Sequence, residues 1–494
     1  MLYYLGIDIG TTSAKAVGFS EKGEVLASAS CTYKMHHPHP NRSEQDPEEI
    51  FEAVINCSNT VISSLSSYSL SLVAFSSAMH GLLAVDSTGN ALTNYIIWAD
   101  NRACDIAERL KESEWGEEIY HITGVPIHAM SPLCKILWFK ENDKATFTKA
   151  YKFIGIKEYI FFKLFGEFLI DTSVASATGM LNLKTLEWEE RILSFADITP
   201  AVLSQVVCAQ SIRTYLKKEG TGWLVPDKTP FVIGASDGAL ANLGTGAVET
   251  NSMAISMGTS SAARIVVEEV ETDIKMRTFC YHVKNETYIL GGAGNNGAIV
   301  LEWLKDSLLE TKETFAELFE KADTVKPGSD DLIFVPYILG ERAPIWNSKA
   351  RGIYFGLSIN HTKAHLIRAC MEGVIYGLYS ITKILLEKRD ITEIHATGGF
   401  TQSSLWLQML ADICNIKVLV SGAVESSALG AVMIGLEALG KEPIPKREIL
   451  SCYEPDLLSH ETYMKGFEKF ERVYETLKKE LMNEVDPSLL MQLK

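Results

Sequence analysis

Residues 7–17 read IDIGTTSAKAV and residues 255–265 read ISMGTSSAARI, two copies of one pattern 248 residues apart (255 minus 7). In the first copy, Gly10-Thr11-Thr12-Ser13 is a bend of small residues. It offers successive backbone N–H groups and three hydroxyls, the makings of an anion-binding nest. Asp8 stands just upstream with a carboxylate suited to a hydrated Mg²⁺, and Lys15 adds a positive charge. In the second copy Gly258-Thr259 repeats the turn, but Ser256 replaces Asp8 and Ala263 replaces Lys15. Two such turns can grip a polyphosphate from both sides, with metal-handling charge on the first only. The plainer alternative is an ordinary hairpin using Thr and Ser for β propensity; duplication of the whole pattern argues against it.

Asp237 follows the apolar run PFVIGA and precedes GALANLG. Asp is a good helix N-cap. A carboxylate at the C-terminal end of a strand also lies where α/β sheets place ligands, and there it can take a proton from a hydroxyl. Met79 and His80 end the run VAFSSAMHG, where the histidine is either a satisfied polar group or a polyol contact. Trp98-Ala99-Asp100-Asn101-Arg102 reads two ways: a helix N-terminus capped by Asp100 or Asn101, or a ligand-facing loop whose Arg102 pairs with a substrate carboxylate. Gly398-Gly399, in ATGGFTQSS, allows close backbone approach to a ring or phosphate, though a tight strand-to-helix turn needs the same glycines. The HHPHP run at 36–40 is loop-like and is given no metal.

Elements that must position these groups are legible around them. Strand signals fall near 70–76, 81–86, 230–235, 288–292 and 393–397, and helical stretches near 102–113, 133–142, 297–309, 361–387, 403–413 and 464–481. Asp46-Pro47-Glu48-Glu49 has the form of an N-cap, a proline at the first helical position and an acidic first turn. Alternating strands and helices argue an α/β chain in two halves, 1–247 and 248–494. The chain has 46 Lys+Arg against 62 Asp+Glu, a net charge of −16, which disfavours a nucleic-acid partner. No run approaches 18 apolar residues and none reads as a signal peptide, so no membrane partner is expected. Nine cysteines without a CxxC spacing fit reduced thiols and a cytoplasmic location.

In their order, IDIGTTSAK, EQDPEE, SAMHG, WADNRA, IGASDGALANLG, SMGTSSAAR, YILGERAPIWN, ATGGFTQSS and ESSALGA resemble the motifs of the FGGY carbohydrate kinases along nearly the whole chain. The resemblance implies two actin-like (ribonuclease H-like) ATPase domains flanking a deep catalytic cleft. Sugar would lie mainly on 1–247 and nucleotide mainly on 248–494. ATP and Mg²⁺ are implied, and a small sugar or sugar acid as the partner; a homodimer is left open. Asp237 matches the family's catalytic base, and Met79, His80 and Gly238 match its substrate contacts. Thr11, Thr12, Ser13 and Lys15 match the first phosphate turn, and Gly258 with Thr259 the second. Gly398, Gly399 and Ser403 match the adenosine site, and Ala298 stands where the family often has Gly. Within the family, SAMHG, WADNR and GASDG are most similar to gluconate kinases, while Met79-His80 also resembles xylulose kinases. Arg102 offers a cation for a sugar acid. An actin- or Hsp70-like ATPase without a sugar substrate is the reading from another class.

Overall fold

The computed structural model describes residues 1–217, 221–422, 425–445 and 448–481. Its contacts divide the chain into two units. One comprises Met1–Val248, Val266–Leu290 and Ala423–Arg447; the other comprises Glu249–Ile265, Gly291–Gly422 and Glu448–Lys494.

In the first unit, strand Leu2–Ile9 turns back on Ser13–Phe19 as an antiparallel hairpin that continues into Val25–Thr32. On its other side it runs parallel to Ser69–Ser77, which runs parallel to Phe231–Ser236; Ile212–Arg213 closes that edge antiparallel. Alternate residues of these strands (Leu5, Ile7, Ile9, Val73, Phe75, Phe231, Ile233) fill a core with Ile50, Val54 and Val61 of helix Pro47–Ser64. That helix begins as its sequence predicts. Pro47 takes the first turn and the Asp46 side chain accepts the Glu48 N–H.

The second unit repeats this order. Ser252–Met257 pairs antiparallel with Ser261–Val267 and parallel with Glu393–Thr397. Glu393–Thr397 runs parallel to Lys417–Ser421, which pairs antiparallel with Ile449–Tyr453. The duplicated hydroxyl turn is therefore one part of a duplicated topology.

The division by contacts differs from the sequence division at 247/248 in that two later segments group with the first unit. Helix Ser426–Ala438 lies against helix Asp237–Thr245 with almost no space between backbones. A Cβ at Gly430 would stand 2.1 Å from the Leu240 carbonyl oxygen, and one at Gly244 would stand 1.9 Å from that of Ser426. The stretch 266–290 is anchored by the Tyr120 hydroxyl, which donates to the Thr278 carbonyl at 2.8 Å.

Most expected elements fall within a few residues of their sequence limits. The stretch 297–309 is shorter and less regular than expected, a helix at Ile299–Trp303 widening into a π-type turn at Leu304–Leu308. The last helix starts earlier, spanning Leu457–Leu481. Helix Lys363–Leu386 is long and apolar enough to cross a membrane, but most of it is buried in the second unit.

Candidate active site

Three parallel strands of the first unit end at the same edge of the sheet, and each delivers chemistry there. Asp8 sits in register with Ser76, and Ser77 with Ser236, so Asp8, the stretch Ser77–His80 and Asp237 emerge side by side. This is where open α/β sheets bind ligands. Beyond Asp8 the chain turns through Gly10, Thr11 and Thr12, closed by the Gly10 N–H donating to the Ser13 carbonyl at 3.1 Å. Surrounding side chains hold the turn. Gln45 donates to the Thr11 carbonyl at 2.7 Å, Trp98 Nε1 to Thr11 Oγ1 at 2.9 Å, and the Tyr33 hydroxyl to the Gly10 carbonyl. Lys15 is paired with Glu425 at 2.9 Å.

The Asp8 carboxylate accepts the Ser76 hydroxyl at 2.6 Å. Burial pushes its pKa up to about 6, with the nearby Asp237 and Glu425 charges adding and the Ser76 bond and Lys15 opposing. Crowded acidic oxygens of this kind suit a dication, which would offset their repulsion. Among the described residues no three His, Cys, Asp or Glu side chains cluster to hold a metal. One carboxylate is enough for Mg²⁺, which commonly keeps its waters and takes its remaining ligands from substrate phosphates.

Asp237 is the first residue of its helix, and Ser236 rather than Asp237 occupies the cap position. The capping alternative raised by the sequence therefore does not account for it. Its Oδ1 accepts the Gly238 N–H at 2.6 Å, and the Ser427 hydroxyl donates to its carbonyl at 3.3 Å. Met79 is half-buried and His80 buried. The His80 backbone is left-handed, φ 69°, and its Nδ1 lies 2.9 Å from the Ala177 carbonyl oxygen. A carbonyl can only accept, so Nδ1 carries the proton; Nε2 of the neutral ring is then an acceptor, with the Tyr281 hydroxyl 3.4 Å away.

Arg102 is tied into the protein itself. It lies just ahead of helix Cys104–Lys111 but is not solvated, its side chain being only 5% exposed. Nε and Nη2 each donate at 2.8 Å to the two oxygens of Asp100, and Nη2 also donates to Glu44. The guanidinium stacks 5.1 Å from the centre of the Trp138 ring. Burial pulls its pKa down, but the two carboxylates outweigh that and hold it above the usual value. Asp100, fully buried, also accepts the Ser43 N–H at 2.7 Å. Neither Asp100 nor Asn101 caps the helix; Ala103 stands at that position.

In the second unit, the Gly258 N–H donates to the Ser260 carbonyl at 2.9 Å. The Gly297 N–H donates to Thr259 at 3.1 Å and the Ala298 N–H to Gly258 at 2.7 Å. Ala298 thus buttresses the second turn, and its N–H is not left for a nucleotide. Gly398 has φ 100°, and a Cβ there would stand 2.2 Å from the Met257 carbonyl oxygen, so only glycine fits. A Cβ at Gly399 would meet open space, as a face for a flat ring requires. The Ser403 hydroxyl caps helix Ser404–Cys414 by accepting the Trp406 N–H at 3.2 Å, and the residue is buried. The sequence placed it at the adenosine site; in the fold its hydroxyl serves the helix as an acceptor.

Sequence reasoning gave no role to Ser76, Glu425 or Lys135. Ser76 follows the apolar run LVAF of strand Ser69–Ser77, and its pairing with Asp8 appears only with the strand register. Glu425 lay within the quoted ESSALGA but becomes a partner of Lys15 only in three dimensions. Lys135 had one signal, a lysine on the apolar face of PLCKILW.

Residues 3–244 match the N-terminal domain of the FGGY family of carbohydrate kinases, and residues 253–439 its C-terminal domain. The chain is 47% identical over 451 residues to the gluconokinase of Bacillus subtilis, covering 89% of this chain and 88% of that one. A solved gluconate kinase from Lactobacillus acidophilus superposes with a TM-score of 0.92 at 35% identity, covering 96% of this chain and 98% of that one. A ligand-bound xylulose kinase from the same organism gives 0.93 at 34% identity, covering 97% and 99%. These neighbours share the two-domain actin-like ATPase fold expected from the motifs. With both halves matched and the motif residues on the strand ends and turns of a duplicated fold, the chain belongs to the FGGY family of carbohydrate kinases.

Proposed function

We propose that the protein transfers the γ-phosphoryl group of ATP to the terminal hydroxyl of D-gluconate, giving 6-phospho-D-gluconate and ADP. The observation that carries the reading is the convergence of Asp8, Met79-His80 and Asp237 at the ends of three adjacent parallel strands. Asp237 takes the proton as the hydroxyl oxygen attacks phosphorus and the bond to the ADP oxygen breaks. Enzymes of this kind work by positioning and charge stabilisation, so no covalent nucleophile is needed. The turns at Gly10–Ser13 and Gly258–Thr259, closed by their own Gly10 and Gly258 N–H groups, would offer their threonine N–H groups and hydroxyls to phosphate oxygens. Gly398 and Gly399 receive the adenosine. Asp8 would hold a hydrated Mg²⁺, which supplies charge neutralisation for the phosphates. His80, whose Nε2 is an acceptor facing the Tyr281 hydroxyl, would receive a substrate hydroxyl in place of that one. The protein works in the cytoplasm on small metabolites, with no nucleic-acid or membrane partner.

Similarity to the Bacillus gluconokinase supports the acid as substrate. One observation favours a second reading, xylulose: Arg102, the cation expected to meet a sugar carboxylate, is already held by Asp100 and Glu44. A coupled ADP-release assay across gluconate, xylulose, ribulose, glycerol and fuculose tests the choice. The highest kcat/KM is expected with gluconate, with the phosphate on the terminal carbon by ³¹P NMR. A preference for xylulose overturns it.

A further inference from the structure

Lys135 lies on helix Pro132–Asn142 and is 0% exposed. A lysine persists in such a place only when its ammonium is bonded. Nζ donates to the carbonyls of His80 at 2.5 Å, Ile97 at 2.9 Å and Met130 at 2.9 Å, with that of Ile96 at 3.4 Å. An ammonium has three protons, so the three short bonds use them all.

These carbonyls come from three stretches of chain, one of which carries the candidate sugar contacts. His80 follows Met79 at the end of the central strand, Ile97 precedes Trp98, and Met130 precedes the helix itself. Other main-chain donors serve two of them: the Leu82 N–H bonds Ile96 and the Asp100 N–H bonds Ile97. The left-handed turn at His80 is costly for a residue with a Cβ and persists where its surroundings impose it. Lys135 takes the carbonyl of that turn while Ala177 fixes the ring, so His80 is held at both backbone and side chain.

We propose that Lys135 is a positioning residue for sugar recognition, its ammonium tying the His80 carbonyl to the segment before Trp98 and thereby setting how Met79 and His80 meet a polyol. The proposal rests on the assignment of Met79 and His80 to the sugar. The charges around Lys135 are consistent with a geometric duty. Burial draws its pKa down to about 7, with Asp100 opposing and Arg102 adding to the fall. A methionine of similar length would fill the space without that desolvation.

The test compares steady-state KM for D-gluconate, D-xylulose and ATP in Lys135→Met, His80→Ala and Leu137→Ala, the last a core truncation on the same helix. Lys135→Met is expected to raise the KM of the preferred sugar roughly tenfold or more, the scale of a small misplacement of binding groups. Its ATP KM should stay within about twofold, and Leu137→Ala should not reproduce the split. If both KM values move together, or Leu137→Ala gives the same pattern, the lysine is only structural and the proposal is overturned. An effect of His80→Ala with none from Lys135→Met overturns the lysine alone. No effect of His80→Ala removes the sugar assignment and the proposal with it. If Lys135→Met does not fold, Lys135→Gln, whose amide keeps two donors, is read by the same split. Failure of both to fold makes the lysine a folding element and overturns the proposal.

Discussion

Lys15 Nζ lies 2.9 Å from Glu425 Oε1, joining residues 410 positions apart in the chain. Glu425 stands at the start of helix Ser426–Ala438 with a left-handed backbone, φ 70°. A cation expected from sequence to meet phosphate is thus paired with a protein carboxylate, with which a phosphate would have to compete. The pair is partly exposed, with a worth of about 1 kcal/mol or less. Glu425→Gln is therefore expected to lower the KM for ATP by up to about fivefold, and Lys15→Ala to raise it. If Lys15 does not reach phosphate, Glu425→Gln will leave the ATP KM where it was.

Asp237 is the first helical residue rather than the cap, and Asn keeps the Oδ1 that accepts the Gly238 N–H, so its charge can be removed without losing that bond. Asp237→Asn should melt near wild type and bind ADP with similar affinity by calorimetry. Its kcat should fall by roughly 10²–10⁴, the usual worth of a general base. Near-normal turnover in the folded variant would assign the proton to another group.

The parts legible in the sequence are those set by neighbours along the chain. The strand hairpin around Gly10–Thr12, the Asp46-Pro47 helix start and the repeat at 255–265 each depend on a few consecutive residues, and the fold bears out all three. What sequence could not supply is partnership at a distance. Glu425 meets Lys15, Ser76 meets Asp8 and Lys135 meets His80 only after the parallel strands and the late helix assemble. The packing of helix Ser426–Ala438 on helix Asp237–Thr245 is hidden for the same reason. Small residues at Gly244 and Gly430 mark two helices in backbone contact, but nothing local tells which helix answers which. Arg102 likewise finds its partners by folding: buried Asp100 two residues back and half-buried Glu44 fifty-eight residues back.

Asymmetry between the repeats gives a third expectation. Ser256, the twin of Asp8, accepts a bond from Arg264 Nη1 at 3.2 Å and is not a carboxylate. Asp8→Asn should raise the Mg²⁺ concentration needed for half-maximal rate and lower kcat, whereas Ser256→Ala should change either by no more than a few-fold.

Asp8 also predicts a pH-dependent stability change in the metal-free protein. Its folded pKa of about 6 lies above its ordinary value of 3.8. The folded state thus binds the extra proton between those values, and stability falls as pH rises through that window. Asn mimics the protonated form. Without Mg²⁺, Asp8→Asn should be more stable than wild type by about 1–3 kcal/mol at pH 7.5. The two should converge near pH 4. Denaturant melts at both pH values check the sign; equal stability at pH 7.5 would mean that Asp8 is not strained by its neighbours.

Arg102 decides between an anchor for a sugar carboxylate and a strut. Asp100 is wholly buried and receives two of its bonds, Glu44 receives another, and the guanidinium lies over Trp138. Removing one partner of a buried ion pair leaves the other charge uncompensated, at a cost of about 3–5 kcal/mol. Arg102→Ala is therefore expected to lose stability on that scale, as seen in denaturant melts. Arg102→Lys should recover only part of it, because an ammonium cannot make the paired contacts to Asp100. As a strut, Arg102 influences every sugar through the same loop, so kcat/KM for gluconate and xylulose should fall in parallel in the folded Lys variant. An anchor behaves differently, since only the acid carries the carboxylate it would bind. A loss confined to gluconate, with stability near wild type, would restore the anchor and reject the strut. With parallel losses, recognition of the acid end must come from neutral donors or from another cation.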